Sequence, residues 1–165
     1  MVASTSGELS FRTIDLERDA QTAVTFRRDS YLCSFATDEA FAVEGYLPWL
    51  RERIARQPLG HVHVWSGPQI VGQLEMLVQA TSPPTGYVNL FYLAPECRGL
   101  GLGVALHEYV VEFMRQGGVE LASLSVSPTN ARALAYYRKQ GWRDRGPRPD
   151  DASVRRMELS IEKSR

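Results

Sequence analysis

The sequence predicts a mixed α/β domain, and three observations predict it. Runs with a two-residue hydrophobic period alternate along the chain with runs of helical period, in the order β-α-α-β-β-β-α-β-α-β-β. An apolar, strand-like run, Tyr87 to Ala94, meets an amphipathic helix across three glycines, Gly99, Gly101 and Gly103. The chain has 165 residues, 44% hydrophobic and 23% charged, which suits one soluble domain with a real core.

Each element has its own signal. Leu9 to Ile14 alternates and reads as a strand. Leu16 to Phe35 reads as a helix with Asp15 as N-cap. Asp38 to Gln57 reads as a second helix, because Val43, Leu47, Leu50 and Ile54 share one face; Pro48 is a fault inside it. His61 to Trp65 and Gln69 to Val78 form a hairpin around Ser66-Gly67-Pro68. A Pro-rich turn, Thr81 to Gly86, precedes the strand Tyr87 to Ala94, and a helix follows from Val104 to Gln116. Val119 to Val126 reads as a strand and Asn130 to Gln140 as a fourth helix. Trp142 to Arg145 and Val154 to Ile161 read as final strands around a turn at Gly146 to Asp150. The domain is expected over residues 9–162, after a small, polar, disordered tail from Met1 to Glu8.

Composition excludes several function classes. Lys plus Arg and Asp plus Glu each number 19, so the formal net charge is zero. That argues against nucleic acid as a partner held by bulk electrostatics. Cys33 and Cys97 make neither a disulfide framework nor a zinc site. Two histidines on one strand face, His61 and His63, lack a third ligand and read as surface groups, so no metal is expected. No apolar run of membrane-spanning length and no signal peptide is visible, which gives no membrane partner and a cytoplasmic location as the expectation.

The glycine-rich junction carries chemistry. It exposes main-chain N–H groups at a helix N-terminus, where partial positive charge and unpaired donors favour phosphate. The spacing fits neither G-x-G-x-x-G/A nor a Gly-Lys-Ser/Thr loop. It is R-x-x-G-x-G, filled by Arg98, Gly101 and Gly103. Downstream, Asn130, Ala133, Tyr137, Gly141 and Trp142 fill the pattern N-x-x-A-x-x-x-Y-x-x-x-G-[aromatic].

Both motifs, in this order, resemble those of the GNAT superfamily of N-acetyltransferases. The resemblance implies a central, mostly antiparallel mixed sheet of about seven strands flanked by about four helices. It implies acetyl-CoA as co-substrate and direct attack by a small-molecule or peptide amine. The N–H groups of Arg98, Gly99, Leu100, Gly101, Leu102, Gly103 and Val104 would hold the pyrophosphate, with the Arg98 guanidinium at the lip. Leu93 would aim its N–H at the acetyl oxygen; one such donor is worth about 3 kcal/mol. Ala94 continues that strand, and Asn130 would lie near the pantetheine arm or cap its helix. Tyr137 matches the usual general acid, and Tyr136 reads as packing.

The base is less legible. Some relatives place a Glu where this chain has Ser125, so Glu75 on the third strand becomes the candidate, weighed against a solvent-facing role. Acidic Asp38, Glu39 and Glu44 at the start of the second helix would either draw in a cationic acceptor or serve the helix dipole. A non-catalytic coenzyme A-binding or sensing module of the same fold is the alternative. The acceptor's identity, any preference for a longer acyl chain and self-association into a homodimer are not encoded in a motif.

Overall fold

The computed structural model describes residues 8–164; the expected tail, apart from Glu8, lies outside them. One seven-stranded sheet runs in the order β1-β2-β3-β4-β5-β7-β6. Its strands are β1 (Leu9–Thr13), β2 (His61–Ser66), β3 (Gln69–Gln79), β4 (Thr85–Leu93), β5 (Leu121–Val126), β6 (Arg143–Arg148) and β7 (Asp151–Ser160). Every pairing is antiparallel except β4 with β5. The helices are α1 (Leu16–Phe35), α2 (Val43–Arg56), α3 (Gly103–Gln116) and α4 (Ala131–Lys139). The element order is the one expected.

Local chemistry sets the boundaries. Asp15 caps α1 by accepting the Glu17 N–H at 3.0 Å. The second helix starts later than expected, at Val43. Asp38 instead pairs with Arg28 at 3.3 Å, and its carbonyl closes a turn onto the Phe41 N–H. Asp38 and Glu39 therefore stand outside the helix, and only Glu44 lies in its first turn. Pro48 is tolerated within α2, which buries Tyr46 and Leu50 one turn apart. The last hairpin turns more tightly than expected. β6 continues to Arg148 through a register break near Gly146, whose φ is +87°.

The two faces of the sheet differ in chemistry. Val62, Val64, Leu74, Met76, Ala122, Leu124 and Met157 pack with Leu106, Val110 and Met114 of α3 and Leu134 of α4 in an apolar core. Alternation turns His61, His63, Gln73 and Glu75 to the opposite face, under α1 and α2. All four are buried. The expectation that the two histidines lie at the surface is thus corrected: α2 covers the strand face they share.

Candidate active site

A fork in the sheet makes the cleft. β4 and β5 pair only from Thr85 opposite Leu121 to Val88 opposite Leu124. Beyond Val88 the strands separate. A bulge lies at the same place: Glu75 faces Leu90 and Met76 faces Val88, so Asn89 has no partner on β3. The bulge resets the alternation, and Leu90 and Tyr92 join Phe26 of α1 while Phe91 and Leu93 pack on the α3 and α4 side. The Ala94 N–H bonds to the Val71 carbonyl at 2.8 Å. By the antiparallel alternation, the N–H groups of Phe91 and Leu93 then face away from β3, into the fork.

Three buried or half-buried polar side chains support the bulge. Arg27 Nη1 donates to the Asn89 carbonyl at 3.2 Å and to Glu75 Oε1 at 3.4 Å. Arg53 Nη2 donates to Asn89 Oδ1 at 2.7 Å. Glu75 Oε2 accepts from the Tyr46 hydroxyl at 2.6 Å and from Gln73 Nε2 at 2.7 Å, and His63 Nε2 meets Gln73 Oε1 at 2.8 Å. Burial beside the Glu75 carboxylate pushes the Tyr46 phenol far up, so it stays a donor. Glu75 is 0% exposed and does not line the cleft. Neither a solvent-facing position nor direct contact with a substrate amine fits that placement.

The glycine loop begins after a short turn at Pro95–Cys97. Gly99 and Gly101 have φ of +75° and +80°, which side chains rarely adopt. A Cβ on Gly101 would meet no protein atom within 4 Å, so the space before it is open. Gly103 differs. A Cβ there would stand 3.0 Å from the Tyr136 hydroxyl oxygen, so this glycine makes room for Tyr136 and not for a ligand alone. Leu102 caps α3 without a side-chain bond, and the first turn bond runs from the Leu106 N–H to Leu102. The N–H groups of Gly103, Val104 and Ala105 thus lack helical acceptors. Leu100 and Val104 are exposed at this loop.

Arg98 turns inward. Its Nε donates to the Leu93 carbonyl at 2.9 Å and its Nη2 to Asp29 Oδ2 at 3.0 Å, with the guanidinium 5.3 Å from the Tyr92 ring centre. Asp29 also accepts the Tyr92 hydroxyl. The residue clamps the end of β4 to α1. Arg132, which sequence reading passed over, lies beside the loop: its Nη2 would be 3.7 Å from a Cβ on Gly99. One signal existed. A cation in the first turn of α4 opposes the helix dipole and so asks for another reason to be there.

Adjacent tyrosines on α4 meet different partners. The Tyr136 hydroxyl donates to the Gly103 carbonyl at 2.7 Å, and burial pushes its pKa up to about 12. The Tyr137 hydroxyl has no hydrogen bond among the described residues, although it lines the cleft. Its ring is held edge-on by Phe91, Tyr136 and Trp142, and burial pushes its pKa well above the usual phenol value. Asn130 caps α4 by accepting the Ala133 N–H at 3.2 Å, and it too lines the cleft.

These groups surround one cleft of about 670 Å³. It brings together Leu93, Arg98, Gly99, Gly101, Leu102, Gly103, Val104, Asn130 and Tyr137, and leaves out Glu75, Ala94 and Leu100. Among the described residues, Arg27, Arg98, Arg132, Lys139 and Arg148 line it, against one carboxylate, Asp151. Asp38, Glu39 and Glu44 do not line it. No group of three His, Cys, Asp or Glu among the described residues is placed to hold a metal ion, and no helix is long and apolar enough to cross a membrane. Burial pushes the Cys97 thiol up, away from thiolate reactivity.

Comparison with known proteins agrees with this geometry. Residues 21–142 match the acetyltransferase (GNAT) family. The chain belongs to that family. The GNAT fold extends over nearly all of it. Ard1 from Thermoplasma volcanium superposes with a TM-score of 0.73 at 17% identity, over 94% of this chain and 99% of that one. Spermidine N-acetyltransferase from Vibrio cholerae, solved with CoA and spermine, gives 0.75 at 14% identity, over 94% and 96%. PaiA N-acetyltransferase from Thermoplasma acidophilum, solved with coenzyme A, gives 0.68 at 20% identity, over 93% and 99%.

Proposed function

We propose that this GNAT protein transfers the acetyl group of acetyl-CoA to a primary amine by direct attack. The observation that carries the reading is the Tyr137 hydroxyl, unpartnered at a fork where β4 also presents the Leu93 N–H. An open phenol that shares a cleft with the Leu93 amide suits chemistry; a purely sensing module has no use for the phenol. That two structural neighbours are solved with coenzyme A supports the choice of co-substrate.

The residues divide the work. The N–H groups after Gly101, with Arg132, hold the pyrophosphate. The Leu93 N–H meets the acetyl oxygen and stabilises its growing negative charge. The amine nitrogen attacks the thioester carbon; the new C–N bond forms as the C–S bond breaks. Tyr137 gives its proton to the departing thiolate and is reprotonated from solvent. The amine's proton leaves to water, because the buried Glu75 carboxylate supports the bulge and does not reach the cleft. Net, amine and thioester become amide and thiol. We place the reaction in the cytoplasm.

The test is turnover. Purified protein, acetyl-CoA and a panel of amines should release free thiol, with one N-acetylated product per thiol by mass. Saturable acetyl-CoA binding without thiol release from any amine would favour the sensing module instead.

A further inference from the structure

Beyond Val88 no ladder pairs β4 with β5, so other contacts must fix the width of the fork. Leu93 lies on the β4 arm. Tyr137 belongs to the other arm, on α4 just beyond β5. The last turns of α1 are tied to both. At the β4 end, Asp29 Oδ2 accepts from the Tyr92 hydroxyl at 2.5 Å and from Arg98 Nη2 at 3.0 Å, while Arg98 Nε holds the Leu93 carbonyl at 2.9 Å. At the other end, the Thr129 hydroxyl donates to the Ser34 carbonyl at 2.9 Å. Thr129 sits in the link from β5 to α4 and directly precedes Asn130, the cap of α4. From Asp29 to Ser34 the helix advances about 7.5 Å; paired strands lie only about 4.8 Å apart. Ser30, Tyr31, Cys33 and Ser34 line the cleft along this stretch.

The Ser34–Thr129 tie has a local cause. Ser34 is in the last turn of α1, where carbonyls have no helical partner, and Thr129 supplies one. Ser127 Oγ accepts the Thr129 N–H at 3.3 Å and lies 2.7 Å from Thr129 Oγ1. Thr129 spends its one proton on Ser34, so Ser127 donates within that pair and fixes the threonine rotamer. Among the described residues no other hydrogen bond or ion pair joins α1 to the chain beyond β5. The two ends differ in strength. Two half-buried groups hold Asp29, whereas one exposed bond holds Ser34, so the strap releases first at Thr129.

We infer that Thr129 is a positioning residue for the transfer: it straps the start of α4 to the last turn of α1 and so holds Tyr137 in register with the Leu93 N–H across the open fork. This rests on the acetyl-transfer reading above. The contacts form one chain, from the Leu93 carbonyl through Arg98, Asp29 and the α1 turn to Ser34, Thr129 and the Asn130 cap. Thr129 touches no reacting atom. It acts on the chemical step through the placement of the phenol, and not on the phosphate site.

The experiment uses the full chain, acetyl-CoA and the amine it turns over best. Thr129→Val removes the hydroxyl and keeps the branched shape; Thr129→Ser keeps the hydroxyl. Thr129→Val should slow single-turnover thiol release about fivefold, the worth of one hydrogen bond, with the acetyl-CoA Kd within about twofold. Thr129→Ser should restore the rate. In a Tyr137→Phe background, Thr129→Val should cost less than about twofold more, because the two residues act as one unit. Hydrogen exchange at the Ser34 to Ala36 amides should speed up in Thr129→Val. A full fivefold loss in the Tyr137→Phe background, a wild-type rate in Thr129→Val, or unchanged exchange would each overturn the inference and leave acetyl transfer intact. No thiol release from the unaltered protein with any amine would overturn acetyl transfer and the positioning role together. Should Thr129→Val fail to fold, Thr129→Ala removes the same bond and takes the same tests.

Discussion

The Tyr46 hydroxyl, from α2, donates a 2.6 Å hydrogen bond to Glu75 Oε2 on β3, inside the protein and behind the cleft wall. Arg27, from α1, completes the group and reaches on to the Asn89 carbonyl. Three elements thereby fix the bulge that opens the fork. Glu75→Gln should lower stability by roughly 3 kcal/mol, since it leaves Arg27 without its buried partner. The loss of activity should be uniform across pH. A loss concentrated near neutral pH and fading as the amine deprotonates would instead make Glu75 the base.

His61 and His63 belong to the same buried layer, and burial lowers both pKa values below the usual 6.5. The folded protein therefore keeps them neutral where the unfolded chain takes up protons. Stability is fully present above about pH 6.5 and falls as pH drops below it, by about 1.4 kcal/mol per pH unit for each imidazole until its folded pKa is reached. His107 is lowered as well and acts in the same direction. Melting temperatures between pH 5 and 8 should show this decline. The double variant His61→Gln, His63→Gln should flatten it; an unchanged slope would contradict the assignment.

Much of this was legible in the sequence. The strand–glycine–helix junction located the loop and the residues after Pro128 the Asn130 cap, because local spacing sets those features, whereas Tyr137 was singled out only by the family resemblance. The Glu75 site was not legible. Alternation assigns His61, His63, Gln73 and Glu75 to one face, but the covering helices are remote in sequence, so a polar strand face reads as a wet one. The Arg98 clamp was not legible for a related reason: its partner Asp29 lies 69 residues away, and only the fold brings them together.

Arg132 offers a separate test of the phosphate site. Arg132→Ala should weaken acetyl-CoA binding about tenfold at low salt, with the gap narrowing as salt rises. Calorimetric Kd values at two ionic strengths check it. Arg98→Lys should mainly lower Tm, because it keeps the charge but loses the fork onto Leu93 and Asp29.

Tyr136 should behave as structure. Tyr136→Phe removes the bond to Gly103 at the start of α3, so acetyl-CoA affinity should fall by a few-fold, about 1 kcal/mol. The chemical step should be nearly unchanged. A collapse in the single-turnover rate would move the acid role to Tyr136.

Tyr137→Phe tests the central claim most directly. The measurement is the single-turnover rate of thiol release at saturating acetyl-CoA and acceptor, beside the acetyl-CoA Kd. Loss of the unpartnered phenol should slow release by roughly 10²-fold or more and leave the Kd within a factor of about two. A variant that releases thiol at the wild-type rate, with chemistry shown to be rate-limiting, would contradict the mechanism and return Tyr137 to the core.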